Sequence, residues 1–168
     1  MRAAGIILAV AAALALQTTL ARYVRGTVAV NLVVVVVVYV ALISGPVTGM
    51  LTGTFAGLVQ DALTPGLIGI GGLAKTLVGF LTGIVGTQFI VAQPVPRFFV
   101  FFGATLLHEL VFMSLYTLLD LRHFGTPYAA VARQAAGNAA VGVVAFQLVE
   151  FLPGAVERRR ATKSRLRR

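Results

Sequence analysis

Residues 27–43 read TVAVNLVVVVVVYVALI, with six consecutive valines at Val33–Val38. In water such a β-branched run reads as a buried strand. In hydrocarbon every backbone N–H and C=O must be satisfied within the segment or within a closed barrel, which favours helix over strand despite the branching. The fold class therefore turns on which solvent surrounds this stretch, and the rest of the chain supplies the answer.

The 168 residues are 58% hydrophobic and only 11% charged, with a mean hydropathy of +0.94. Soluble domains carry roughly 25% charged residues. Apolar runs recur along nearly the whole sequence, each long enough to cross a hydrocarbon layer of about 30 Å as a helix. The alternating ten-residue segments of a transmembrane barrel are not visible. The expected fold is an all-α integral membrane protein with six transmembrane helices.

The spans are Ala3–Leu20, about Thr27–Ile43, Pro46–Leu63, Gly72 to about Ala92, Phe98–Leu119, and about Tyr128–Leu152. The first could pass for a secretory signal, since Arg2 precedes an apolar core, but that core runs longer than a usual signal. Pro46 suits a helix first turn. TPGLIGIGG (64–72) is rich in breakers and reads as irregular. QPVPR (93–97) interrupts the chain, and Pro153 with Gly154 is expected to stop the last helix. Residues 1–154 thus form one domain, followed by a basic tail at 155–168. Loops are short throughout, leaving no room for a soluble catalytic domain.

Of 14 lysines and arginines, seven lie in RRRATKSRLRR (158–168). The net charge of +9 is therefore concentrated at one end; it points to topology and anionic lipid rather than nucleic acid. Arg2, Arg97 and the tail fall on one side of a six-span bundle, and Arg22, Arg25 and Arg122 on the other. The excess places both termini in the cytoplasm. RFFVFF (97–102) reads as an interfacial arginine followed by lipid-facing aromatics.

Gly45, Gly49, Gly53 and Gly57 repeat every four residues, and Asp61 continues the spacing. Each step of four turns 400°, so the ladder winds slowly round its helix. Thr48, Thr52 and Ala56 add a neighbouring ridge of small side chains. In lipid, close backbone approach through small residues is what holds helices together. The fourth span offers a matching seam at Gly72, Thr76, Gly79, Gly83, Gly86 and Ile90. The expected result is close packing of the two spans, either the generic packing of membrane helices or a specific rigid hairpin that positions Asp61; Gly49, Gly53, Gly57, Gly79 and Gly83 are also a candidate partner surface.

Asp61 ends the third span and Lys75 opens the fourth, each at the disfavoured end of its own helix dipole. An Asp61–Lys75 contact would neutralise both. His108 and Glu109 lie near the centre of the fifth span, where a charge costs about 2.5–3.5 kcal/mol even on lenient scales. Arg133, Gln134 and Asn138 on the sixth span are the candidate partners of Glu109. There are no cysteines and only two histidines, so thiol chemistry is excluded and a metal site of ordinary ligand number is not expected. No phosphate-cradling loop, nucleophile constellation or paired intramembrane aspartates are present. An enzyme, or a protein with a bound cofactor, is not expected.

The stretch GTFAGLVQDALTPGLIGIGGLAKTLVGFLTG (53–83) resembles the core signature of the MreD family of rod shape-determining proteins. The matching positions are Gly53, Gly57, Leu58 and Asp61, then Leu73, Leu77, Gly79, Phe80, Leu81 and Gly83. Phe80 stands where the family pattern has tyrosine. The resemblance implies a bundle like the S components of energy-coupling-factor transporters. It also implies a multi-pass subunit of the bacterial inner membrane, within the complex that elongates the lateral cell wall. Its implied role is assembly rather than catalysis. The implied partners are an MreC-type bitopic membrane protein, a RodA-type glycosyltransferase with its transpeptidase, and the actin-like MreB at the cytoplasmic face. The alternative is an S component itself, a substrate-binding subunit of a vitamin transporter. Ala9/Ala13 and Ala11/Ala15 match the Ala-x-x-x-Ala by which such components dock. That reading requires a pocket with convergent polar groups near Asp61.

Overall fold

The computed structural model describes residues 3–23, 30–89, 93–121 and 128–165, with side chains placed for 3–19, 30–89, 93–121 and 128–150. Arg2, Arg25 and Arg122, the side chain of Arg22, the start of the second expected span, the end of the fourth and the side chains of the tail lie outside these. Six helices follow in order: α1 (Ala3–Tyr23), α2 (Leu32–Ser44), α3 (Pro46–Leu63), α4 (Ile70–Gln88), α5 (Pro94–Leu118) and α6 (Tyr128–Arg165). The described regular structure is wholly helical. Three helical stretches are long and apolar enough to cross a membrane: Ile70–Gln88, Pro94–Leu118 and Tyr128–Glu150.

The valine run is helical and occupies the centre of the bundle. α2 touches all five other helices. Val33, Val34, Val35, Val37, Val38, Val40 and Ala41 are buried, spread round the helix rather than along one stripe. A helix apolar on every side belongs inside a protein. Its 13 residues reach only about 20 Å, short of a full hydrocarbon crossing. The expected span from Thr27 is thus shorter than anticipated, because Asn31 caps the helix: its Oδ1 accepts from the amide of Val34 at 3.3 Å. Gln17 of α1 holds the same entry, donating to the carbonyl of Val30 at 3.0 Å and accepting from the amide of Leu32 at 2.8 Å.

Two apolar clusters meet at α2. Val34, Val35 and Val38 pack with Val78, Phe101, Ala104, Ala139 and Phe146. Val33 and Val37 pack with Val10, Ala13, Leu14 and Ala56. Asn138, fully buried on α6, ties three helices at one level. Its Oδ1 accepts from the backbone amide of Asn31 at 2.8 Å, and its Nδ2 donates to Thr105 Oγ1 at 3.1 Å.

Further expected boundaries move. α5 begins at Pro94, four residues before Phe98, so QPVPR supplies its N-cap and first turn rather than only a break. α4 begins at Ile70, two residues before Gly72, so the end of the supposedly irregular stretch is helical. α6 does not stop at Pro153 and Gly154 but continues to Arg165. An interior proline removes one donor and crowds the preceding turn, which bends a helix without having to end it, and beyond Gly154 the residues are mostly good helix formers.

Candidate functional site

The α3–α4 hairpin is the most extensive helix pair in the molecule. The sequence explains why: a Cβ on Gly49 would overlap the carbonyl of Gly79, one on Gly53 the carbonyl of Lys75, and one on Gly57 the backbone of Gly71 and Gly72. Reciprocally, Gly79 lies on the carbonyl of Gly49 and Gly83 on the backbone of Pro46. Gly53, Gly57 and Gly83 are spent on this contact, while Gly49 also lies against Ala41 and Gly79 against Val37, both on α2. Thr54 and Thr76 join their hydroxyls across it at 2.8 Å. Gly86 at the end of the seam turns to α2 instead, against the backbone of Leu42.

At the turn of this hairpin, Asp61 aims its carboxylate at the start of α4. Oδ2 accepts from the amide of Gly69 at 2.9 Å and from that of Gly72 at 3.1 Å. The N-cap residue of α4 is Gly69 itself, at φ +111°, which brings no capping side chain. Asp61 caps that helix from its neighbour, and the positive end of the α4 dipole faces it. The expected Asp61–Lys75 ion pair is therefore corrected. Lys75 Nζ donates to the carbonyl of Gly71 at 3.4 Å, and no salt bridge joins the two side chains among the described residues. The dipole argument for pairing considered each charge on its own helix and missed the adjacent helix end.

The buried pair on α5 is completed as expected in one part only. Gln134 Nε2 donates to Glu109 Oε1 at 2.7 Å, and His108 Nδ1 lies 3.1 Å from the same oxygen. Arg133 is exposed and forms no hydrogen bond to Glu109. Asn138 serves Thr105 and Asn31 instead. The register of α6 decides this: Gln134 and Asn138 sit one turn apart on the inward face, while Arg133 points outward.

Asp61, Lys75, His108 and Glu109 converge on one cavity of about 270 Å³, also lined by Asn31, Gln60, Thr64 and Tyr116. Its rim is the α3–α4 loop at Pro65, Gly66 and Leu67. Of the five ionisable residues singled out within the expected spans, Asp61, Lys75, His108 and Glu109 thus share a site, and Arg133 does not. None of the described residues forms a cluster of histidine and acidic ligands suited to a metal ion.

At the opposite end of the bundle, Arg97 turns into the protein rather than outward. It is 4% exposed and forms a two-pronged bond to Glu150, at 2.8 and 2.7 Å, with its guanidinium 3.8 Å above the Phe146 ring. Among the aromatics beside it, Phe99 faces outward, whereas Phe101 is buried against Gly142 of α6. Glu150 and Phe146 carried no signal of their own in the sequence. The partner of Arg97 could have been sought at the far end of α6, since antiparallel neighbours bring those termini together.

The family model for rod shape-determining protein MreD matches residues 3–153. The chain belongs to the MreD family. No curated protein and no solved structure matches. The signature now divides by face. Gly53, Gly57, Asp61, Gly79 and Gly83 point into the hairpin, while Leu58, Leu73, Leu77, Phe80 and Leu81 are 38–56% exposed on its outside. Membership of this family gives the chain a part in rod shape determination.

Proposed function

We propose that this MreD-family chain is a non-catalytic scaffold of the cell-wall elongation complex in the bacterial inner membrane, crossing it with six helices and keeping both termini in the cytoplasm. It binds an MreC-type bitopic protein and supports a RodA-type glycosyltransferase and its transpeptidase; MreB approaches from the cytoplasmic face, where the basic tail meets anionic lipid. The observation that carries this reading is the outward half of the signature. Leu73, Leu77, Phe80 and Ile84 follow steps of four, three and four on α4, with the first three well exposed. That spacing suits the seam of a single partner helix. The glycine ladder, which also looked like a partner surface, is already occupied by the hairpin itself.

The test is co-expression with the MreC-type neighbour, gentle solubilisation and co-purification. The triple variant L73A/L77A/F80A should retain the monodisperse fold and lose the partner. A wild-type chain that never retains the partner would overturn the scaffold reading. A second reading, a vitamin-binding S component, has the polar cavity in its favour. At about 270 Å³, however, the cavity falls just under the ~300–1,000 Å³ of ordinary cofactor sites.

A further inference from the structure

The polar cavity contains more hydrogen-bond acceptors than its own donors reach. Gln60 Oε1 and His108 Nε2 are both sealed from solvent with no hydrogen-bond partner among the described residues. His108 is 3% exposed, and its other ring nitrogen faces Glu109. An ionised carboxylate only accepts, so in the neutral ring Nδ1 carries the proton and Nε2 is a bare acceptor. Buried acceptors left unmet are costly, so each favours a donor brought from outside.

The charges are unbalanced in the same sense. Two carboxylates, Asp61 and Glu109, line the cavity against one ammonium, Lys75. Asp61 is compensated by the α4 terminus and its two backbone donors. Among the described residues, the hydrogen-bond contacts of Glu109 are the neutral amide of Gln134 and the imidazole of His108, and Lys75 attracts it without bonding it. Lys75 in turn has one long bond, to Gly71, and keeps donors to spare. A guest that suits this lining brings a small cation rich in N–H donors, and beside it an oxygen for Lys75. The volume equals roughly nine waters, at ~30 Å³ apiece, which is enough for an amino-alcohol. Leu67 and Ile68, 50% and 64% exposed, flank the rim with apolar surface, as a site opening at a membrane face requires.

We propose that this cavity binds a primary ammonium group on a small hydroxylated or ester-bearing carrier, with Glu109 as its charged acceptor and with His108 and Gln60 rotating to present their unmet acceptors to it. The carrier is either a free amino-alcohol or the headgroup of an aminolipid. The proposal stands independently of the partner reading: it concerns the isolated chain and survives a failure of co-purification.

The experiment is thermal unfolding of the purified full chain in mild detergent, with ethanolamine, choline or sodium chloride at equal ionic strength. Choline keeps the charge and hydroxyl of ethanolamine but has no N–H. Nanodiscs of phosphatidylethanolamine or phosphatidylcholine form the second arm. Ethanolamine should raise the unfolding midpoint where choline and sodium do not. Glu109→Gln should weaken its apparent affinity about tenfold or more, the scale of a charged hydrogen bond. Gln60→Met, at a half-buried position, should weaken it less and serves as the readout if Glu109→Gln does not fold. Stabilisation by the aminolipid alone, lost in the same variants, assigns the ammonium to a headgroup. Equal shifts with choline or sodium, no shift in either arm, or shifts unchanged in both variants overturn the proposal.

Discussion

Asp61 makes two charge-assisted bonds to backbone amides, and its neighbour Gly71 leaves the room they need. A Cβ on Gly71 would overlap Asp61 Oδ1. Replacing Asp61 with alanine strands both amides and should cost roughly 2–4 kcal/mol. Asp61→Asn keeps an acceptor oxygen and should cost clearly less. An ion pair with Lys75 would instead make the two substitutions equally harmful. Gly71→Ala should reproduce much of the Asp61→Ala loss without altering any charge. Detergent unfolding midpoints of the three variants check this. The sequence showed that Asp61 mattered, because a charge at the end of a glycine ladder needs a purpose. It hid the partner, because a carboxylate capping a neighbouring helix depends on how the seven residues between Asp61 and Gly69 turn.

Among elements, the hairpin was the most legible. Small residues every four positions on one span and a small-residue seam on the next leave few ways to pack, and α3 and α4 adopt that packing. Gly53→Ala should lower stability by about 3 kcal/mol or more, since the added methyl meets the rigid carbonyl of Lys75 and the helices must separate. Gly103→Ala is the counterpart on α5: nothing lies within 4 Å of its Cβ position, and it should stabilise by up to about 1 kcal/mol. Denaturation of the two variants side by side separates close approach from helix propensity. The α5–α6 contact was far less legible. Arginine near a span end reads as interfacial on average, yet Arg97 turns inward because Glu150 and Phe146 meet it there. Arg97→Lys should therefore weaken the protein although it keeps the charge. A single ammonium reproduces neither the two-pronged bond nor the flat stacking over Phe146.

For the whole molecule, composition and the valine run were sufficient to predict a helical membrane bundle, and the helix count followed from the breakers. What sequence periodicity could not supply was the arrangement round α2, since a helix buried on all sides has no distinctive face. α6 closes that arrangement: Phe146 packs against Tyr39 of α2 with ring centroids 4.9 Å apart, and Asn138 holds the entry to α2. A chain truncated after residue 127 should accordingly be digested much faster by added protease than the full chain, while the α3–α4 loop cuts at similar rates in both if the hairpin folds locally. The Asn31–Asn138 bond has a further consequence, for manufacture. The amide at the head of α2 leaves the ribosome 107 residues before the side chain that will accept its hydrogen bond. At about 5–20 residues per second, that is an interval of roughly 5–20 s. During it, the central helix waits with its entry unfinished, so a slow codon or a stalled ribosome between α2 and α6 lengthens the window in which quality-control proteases can recognise the nascent chain.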